Sequence, residues 1–151
     1  MTSYLIDINV WLALSWVGHP HSKTASAWLD VLTKSRTRLL FCRVTQLGVL
    51  RLLTNTSLMG GSVLTTAEAL RAVDLWNEDP RVDFVAEPKG IESVFRQSLK
   101  AFANRTATKV IMDAYLVGFA DAEQATLVSF DRGICKLAAK SNTSFLLLSS
   151  K

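Results

Sequence analysis

The amino-acid sequence predicts a single α/β domain, residues 1–151, in which a central parallel sheet of about five short strands lies between two layers of helices. Short apolar segments alternate with longer segments of helical periodicity, an order that is typical of parallel strands joined by helical crossovers. The length of 151 residues suits one domain with a sizeable core. Apolar residues make up 49% of the chain, and no linker rich in Pro, Gly or Ser divides it. We therefore expect one three-layer α/β/α fold.

The first half of the chain contains two apolar segments short enough to be strands, with helical patterns after each. Apolar side chains that recur every three or four residues define the helices, and Thr45 is a suitable N-cap for one of them. We expect, in order, a strand over 3–7, a helix from Val10 that ends near Pro20, a helix over 22–34, a strand over 39–41, a helix from Thr45 to Leu53 and a loop over 55–62.

The second half repeats this alternation, and prolines mark two of its boundaries. Pro80 ends a helix and Pro88 ends a strand, because proline lacks the backbone N–H that would continue either element. We expect a helix capped by Thr65 or Thr66 that runs to Trp76, a strand over 82–85, a helix over 90–103, a polar loop over 104–108, a helix over 111–123, a strand over 126–129, a helix over 132–140 and a strand over 144–148.

The charge of the chain is mildly basic, with a formal net charge of +4 and a pI of about 9.3. This balance is compatible with a nucleic-acid partner but does not demonstrate one. Between Glu92 and Asp113 the sequence has no acidic residue, whereas it has four basic ones. A basic stretch of this kind fits a polyanionic ligand, and a solvated helix face explains it equally well.

The sequence also bounds the location of the protein. No apolar run approaches the ~18 residues that a membrane-spanning helix needs, and the N-terminus lacks the basic segment of a signal peptide. We therefore expect a cytoplasmic protein with no membrane partner. The two cysteines, Cys42 and Cys135, lack the spacing of a zinc site, so we expect them to be small buried side chains.

Carboxylates at the ends of elements are the strongest functional pattern in the chain. Asp7 closes the first apolar segment, Asp131 follows the fourth, and Asp113 lies in the expected first turn of an apolar helix. Each has a purely structural explanation, because Asp7 and Asp131 could cap the helices that follow and Asp113 could balance a helix dipole. Parallel strands end at one edge of a sheet, where ligands bind, so the three carboxylates are expected to meet there and to favour a hard cation such as Mg²⁺ or Mn²⁺.

Four ordered segments give the chain a family resemblance. They are Tyr4–Leu14 (YLIDINVWLAL), Val44–Gly48 (VTQLG), Met112–Leu116 (MDAYL) and Thr126–Gly133 (TLVSFDRG). Each segment is a weak signal alone, but the four together, in this order and spacing, closely resemble the PIN-domain family over essentially the whole chain. More narrowly, the chain looks like a VapC-type toxin of a bacterial type II toxin–antitoxin system.

The resemblance implies an activity, a cofactor and partners. A VapC-type protein is a Mg²⁺- or Mn²⁺-dependent endoribonuclease with RNA as its substrate, held inactive by a cognate VapB-type antitoxin, and we expect a homodimer. The acidic cluster of the family corresponds to Asp7, Asp113 and Asp131 as metal ligands and catalytic residues, with Asn9 and Ser129 as the residues that support them. Helices rich in Leu and Trp in the first half of the chain suggest a groove for an amphipathic antitoxin helix.

One position departs from the family pattern. Gln46 stands where the family normally has a glutamate, so it keeps an oxygen donor but removes one negative charge from the expected catalytic set. A catalytically weak or inactive PIN-like module that binds or regulates RNA is therefore the alternative function. Arg132, Arg51 and Lys109 are candidates for contacts to RNA phosphates. A phosphatase or phosphoacceptor built on Asp7 is a weaker alternative, since residues 7–9 contain no Asp-x-Asp pair.

Overall fold

The computed structural model of the chain describes residues 1–149 and contains one five-stranded sheet in the order β3-β2-β1-β4-β5. All four neighbouring strand pairs are parallel. The strands are β1 (Thr2–Ile6), β2 (Thr37–Phe41), β3 (Val82–Phe84), β4 (Thr126–Ser129) and β5 (Phe145–Leu147). The expected parallel α/β fold is confirmed. The last two residues of the expected domain, 150 and 151, lie outside the described residues.

Helices connect the strands and cover both faces of the sheet. They are α1 (Ile8–Ser15), α2 (Ser22–Asp30), α3 (Arg43–Leu53), α4 (Thr56–Met59), α5 (Thr66–Asn77), α6 (Ile91–Leu99), α7 (Thr108–Ala122) and α8 (Arg132–Lys140). Within residues 1–149, no helix is both long and apolar enough to cross a membrane.

Two apolar clusters, one on each face of the sheet, form the core. Successive side chains of a strand point to opposite faces, so Leu5 and Leu127 enter one cluster while Ile6 and Val128 enter the other. Trp11 of α1 is fully buried and stacks on Phe41 with 4.2 Å between the ring centroids. Because every central strand is apolar on both faces, the sheet requires helices on both sides, and three layers result.

Several expected boundaries differ from the structure. Thr45 is not the N-cap of α3, because the helix begins at Arg43 directly after β2 and Cys42 occupies the cap position. The Thr45 hydroxyl lies one turn inside the helix and accepts a hydrogen bond from the Cys42 N–H at 3.1 Å, a task usually performed by a longer side chain. The expected helix over 22–34 ends at Asp30, where the Leu32 N–H bonds the Leu29 carbonyl and tightens the last turn.

The segment over 55–62, expected to be a loop, also contains helical turns. The Asn55 side chain accepts a hydrogen bond from the Leu58 N–H at 3.1 Å and caps the four-residue helix α4. Gly60 then takes a positive φ of 54° and ends α4. Glycine suits this position because a residue with a Cβ would be strained at such a φ. Sequence periodicity misses an element of this length, since four residues are too few to show a repeat.

Candidate functional site

The site begins where β1 and β4 end side by side. Ile6 is paired with Val128 in the parallel register, so Asp7, which directly follows β1, lies beside Ser129, the last residue of β4, at one edge of the sheet. The Asp7 N–H continues the ladder by donating to the Val128 carbonyl at 2.9 Å. Asp7 then caps α1, because its Oδ1 accepts from the Ile8 N–H at 2.7 Å. Asp7 therefore has both roles that its position allows, a structural cap and a buried carboxylate at the strand edge.

Ser129 is the centre of the hydrogen-bond network that holds this edge together. Its hydroxyl donates to Oδ2 of Asp7 at 2.7 Å. The Oγ of Ser129 also accepts hydrogen bonds from Nδ2 of Asn9 at 3.2 Å and from the Asp131 N–H at 2.9 Å. Oδ1 of Asn9 in turn accepts from the Phe130 N–H at 3.3 Å. Ser129 is fully buried, so these contacts fix the orientation of the Asp7 carboxylate.

Asp131 is held by a helix cap and by an ion pair. Its Oδ1 accepts from the Gly133 N–H at 2.7 Å and caps α8. Its Oδ2 lies 2.7 Å from Nζ of Lys109, a side chain of α7 that is 75% exposed. The hydrogen bond from Lys109 keeps the pKa of Asp131 below its usual value, and the same contact raises the pKa of Lys109. Asp131 is therefore ionised at neutral pH.

Asp113 lies one turn deeper in α7 than the sequence suggested. The helix begins at Thr108, the last residue of the expected polar loop, rather than at Ile111. Asp113 is therefore its sixth residue, beyond the range over which a helix dipole stabilises a carboxylate. Burial first, and then the charges of Asp131 and Asp7, raise the pKa of Asp113 to about 6. The helix dipole is therefore a weaker explanation for a carboxylate at this position. The electrostatic effects of Asp131 and Asp7 on Asp113 still indicate that it lies near them.

The three carboxylates form one electrostatic cluster. Burial raises the pKa of Asp7, the hydrogen bonds from Ser129 and Ile8 oppose that rise, and the charge of Asp131 adds to it. Asp113 is raised by both of the others. Carboxylates that raise one another's pKa values are close in space and lack enough neutralising charge. The charges of Asp131, Asp113 and Asp7 all raise the pKa of Lys109, so the Lys109 ammonium lies near all three carboxylates.

The donor set of this cluster matches a hard divalent cation. The oxygen donors at this edge are the three carboxylates, the Ser129 hydroxyl and the Asn9 side-chain amide. Mg²⁺ and Mn²⁺ prefer oxygen donors of these kinds. In residues 1–149, no three His, Cys, Asp or Glu side chains converge closely enough to enclose an ion on their own. Mg²⁺ commonly binds through one or two carboxylates and keeps several waters, so an incomplete protein cage is compatible with it. One or two of Asp7, Asp113 and Asp131 could bind it directly, with waters completing its coordination and linking it to the remaining acid.

Gln46 is the fourth residue of α3 and is engaged by a neighbour on its own helix. Its Oε1 accepts a hydrogen bond from Nη1 of Arg43, whose guanidinium lies 4.6 Å from the centroid of the Phe84 ring. Helices α1 and α3 pack closely, and a Cβ at Gly48 would come within 2.4 Å of Cδ1 of Ile8. Gln46 therefore lies in the first turn of α3, at the carboxyl end of β2, with its oxygen directed to Arg43.

The three basic residues expected to contact phosphates are in different surroundings. Lys109 lies in the site, paired with Asp131. Arg132 is exposed at the first position of α8, next to Asp131. Arg51 is in the last turn of α3, about 12 Å along the helix from Arg43 at 1.5 Å per residue. The structure therefore brings Lys109 and Arg132 to the carboxylates and leaves Arg51 away from them.

Sequence reasoning missed one aromatic pair beside the site. The His21 ring stacks on Phe130 with a centroid distance of 4.6 Å, and Phe130 lies between Ser129 and Asp131 in the chain. The spacing of the two histidines around Pro20 matches no metal motif, so they looked like surface residues of a turn. Phe130 follows β4, and it reaches His21 only because β4 pairs with β1 in the sheet.

Comparison with known proteins identifies the fold family. The sequence model described as the PIN domain matches residues 4–140. The chain belongs to the PIN-domain family. The resemblance seen in the four segments is thereby confirmed. Ribonuclease VapC41 of Mycobacterium tuberculosis is 44% identical over 133 residues, which cover 84% of this chain and 88% of that protein.

Solved structures of the same architecture extend the likeness to the fold as a whole. VapBC2 from Rickettsia felis, bound to a promoter DNA fragment, aligns with a TM-score of 0.69 at 12% identity and covers 98% of this PIN domain and 100% of the matched chain. VapBC-1 from nontypeable Haemophilus influenzae aligns at 0.66 and 15% identity, with 97% and 98% covered. VapC20 of M. tuberculosis, a sarcin–ricin-loop-cleaving toxin, aligns at 0.65 and 14% identity, with 88% and 93% covered.

Proposed function

We propose that this PIN domain is the toxin of a type II toxin–antitoxin system and acts as a Mg²⁺- or Mn²⁺-dependent endoribonuclease. The observation that carries the proposal is the cluster of Asp7, Asp113 and Asp131 at one edge of the sheet, with the pKa of Asp113 raised to about 6 by burial and by the other two acids. The relationship to a protein named ribonuclease VapC41, at 44% identity, supports RNA as the substrate. The toxin VapC20, which shares the fold, supports it further.

The residues of the site have distinct roles in this proposal. When bound, Mg²⁺ or Mn²⁺ supplies a coordinated water of lowered pKa and neutralises charge on the scissile phosphate. Asp7, Asp113 and Asp131 would hold the cation. Ser129 and Asn9 orient the Asp7 carboxylate and limit its rotation, which keeps the cluster preorganised. Lys109, which pairs with Asp131 in the structure, is free to turn toward a phosphate because most of its side chain is exposed.

The experiment that tests this function is RNA cleavage by the purified, antitoxin-free protein with Mg²⁺, with Mn²⁺ and with EDTA. We expect cleavage with either cation and none with EDTA, and we expect Asp7→Asn to lower the rate by a factor of at least about 100, the scale on which precisely placed catalytic groups act. Asp121→Asn, an exposed residue near the far end of α7, is the matched control. An active wild type in EDTA would exclude the metal dependence.

A second function is favoured by one observation. Because Gln46 replaces the usual glutamate and is held by Arg43, the site has one negative charge fewer than the family pattern. We therefore keep a non-catalytic module that binds RNA as the alternative. RNA binding without cleavage in either cation, combined with cleavage after Gln46→Glu, would support this alternative against the first proposal.

An antitoxin is the partner that this function requires. The solved structures that share the fold include VapBC complexes, which supports a VapB-type antitoxin, and a protein of this type would act in the cytoplasm. Exposed leucines on α3, α4 and α5 provide an apolar surface for such a partner: Leu47, Leu58, Leu70 and Leu75. Co-expression with the product of the adjacent reading frame, followed by co-purification, tests the partner. Light scattering of the free toxin tests the expected homodimer.

A further inference from the structure

A cavity of about 270 Å³ opens directly beside the carboxylate cluster. Its walls are α7, which contributes Asp113, together with α8 and the turn before α7. Its lining residues are Phe102, Lys109, Val110, Asp113, Gly133, Lys136, Leu137 and Lys140. The cavity therefore combines an apolar floor with three lysines, and it is continuous with the site. We call it the lysine groove.

The cationic side of the lysine groove is built by the periodicity of α8. Arg132, Lys136 and Lys140 are four residues apart, so they share the exposed face of the helix at about 6 Å intervals along its axis. Helix α8 contains no acidic residue. Among residues 1–149, neither Lys136 nor Lys140 takes part in a salt bridge. Their charges are therefore available to an anionic ligand.

Phe102 gives the groove an aromatic surface at its centre. It lines the groove and also two adjoining cavities of about 380 and 370 Å³. The ring is partly buried among apolar residues of α6 and α7, and the Arg105 guanidinium lies 5.8 Å from its centroid. An aromatic face inside a basic groove is the combination that proteins use for single-stranded nucleic acid, where bases stack and phosphates meet cations.

We propose that the lysine groove binds the single-stranded part of the RNA next to the cleaved phosphate, with phosphates on Lys136 and Lys140 and an unpaired base against Phe102. The inference rests on the proposed ribonuclease function and adds the path and the strandedness of its substrate. A single strand is favoured, because a paired base would first have to unpair and unstack before it could reach a ring set inside a cavity. Phe102, Lys136 and Lys140 would then be positioning residues for the RNA.

Binding measurements without cleavage test the phosphate contacts. Fluorescence anisotropy with a short labelled oligoribonucleotide in EDTA gives Kd over a range of salt concentrations. We expect the double variant Lys136→Ala/Lys140→Ala to weaken binding and to reduce the slope of log K against log salt by about 1.4, since each phosphate contact to a single strand contributes about 0.7. The control Lys34→Ala/Arg36→Ala removes two exposed charges from the turn before β2, at the opposite edge of the sheet, and is expected to leave the slope unchanged.

A conservative change at Phe102 tests the stacked base. Phe102→Leu retains apolar packing but removes the aromatic face, and we expect binding to weaken about tenfold with an unchanged salt slope, because base stacking is uncharged. Phe102→Tyr is expected to bind as the wild type does. Thermal unfolding of each variant checks that the fold is intact, and an RNA duplex should compete poorly with the single strand.

The outcomes separate this inference from the proposed function. Unchanged Kd and salt slope in both groove variants, alongside metal-dependent cleavage by the wild type, would overturn the lysine groove and leave the ribonuclease function in place. Displacement of the labelled RNA by a duplex as effectively as by a single strand would also overturn it. Loss of binding to the antitoxin but not to RNA in the lysine double variant would assign the groove to an acidic antitoxin segment and refute the RNA path.

Discussion

Asp113→Asn tests the electrostatic description of the site, because it removes a charge and changes almost nothing in shape. The pKa of Asp113 is raised from 3.8 to about 6 in the folded protein. Between these pH values the folded state holds more protons than the unfolded state, so the free energy of unfolding falls as pH rises through this window. A rise of about two pKa units corresponds to about 3 kcal/mol. Solvent screens this partly exposed group, so we expect Asp113→Asn to stabilise the metal-free protein by about 1 kcal/mol at pH 7.

Chemical denaturation in EDTA at a series of pH values measures this difference. We expect Asp113→Asn and wild type to have similar stability well below pH 3.8, where the Asp113 carboxyl is protonated in both the folded and the unfolded state, and to diverge between pH 4 and about 6 as the wild type loses stability. Adding Mg²⁺ should reverse the order at pH 7, because a cation bound only by the folded state stabilises the protein that retains its ligand.

Asp121→Asn removes an exposed carboxylate of the same helix and should shift stability by less than about 0.5 kcal/mol at every pH. If Asp113→Asn were as stable as wild type or less stable at pH 7 in EDTA, neither the burial of the Asp113 carboxylate nor the charges of Asp131 and Asp7 would destabilise the folded protein as described. The cluster would then lose its main physical support as a metal site.

Three further expectations concern the neighbours of the cluster. Ser129→Ala leaves buried partners without a hydrogen bond and should lower the free energy of unfolding by about 1–3 kcal/mol, measured by denaturation; no loss would mean that Asp7 orients without it. Gln46→Glu adds a carboxylate and should lower the Mg²⁺ concentration for half-maximal cleavage, and an unchanged midpoint would contradict a role for this position in metal binding. Lys109→Met removes the cation paired with Asp131, so NMR titration should show a higher pKa of Asp131 in the metal-free variant; an unchanged value would contradict the ion pair.

Local pattern in the sequence was sufficient for much of the fold. The strand segments and most helices follow from apolar periodicity, because burial on both faces of a sheet and on one side of a helix leaves a repeat that can be counted. Errors occurred where the repeat was too short or the signal unusual. Helix α4 has only four residues, and α3 has a cysteine as its N-cap, with Thr45 completing the cap from inside the helix.

The positions of the three acids in the fold could be predicted only in part from local sequence. Asp7 directly follows β1 and Asp131 lies two residues after β4, so their position at one sheet edge was foreseeable from parallel topology. Asp113 was placed in a first turn that the structure moves three residues earlier. The preference of Gln46 for Arg43 and the distance of Arg51 from the carboxylates had no signature in the sequence, since both depend on the direction in which α3 leaves the edge.

The sequence by itself determined the fold class, the presence of β1 and β4, and the membership of Asp7 and Asp131 in a single edge. The tertiary structure alone decided that β4 lies next to β1 in the register Ile6–Val128, which puts Ser129 on Asp7. It also decided that α7 brings Asp113 and Lys109 to the same place, and that α8 turns Lys136 and Lys140 toward Phe102. Strand order and helix packing depend on contacts between residues far apart in the chain, and a short-range pattern does not record them.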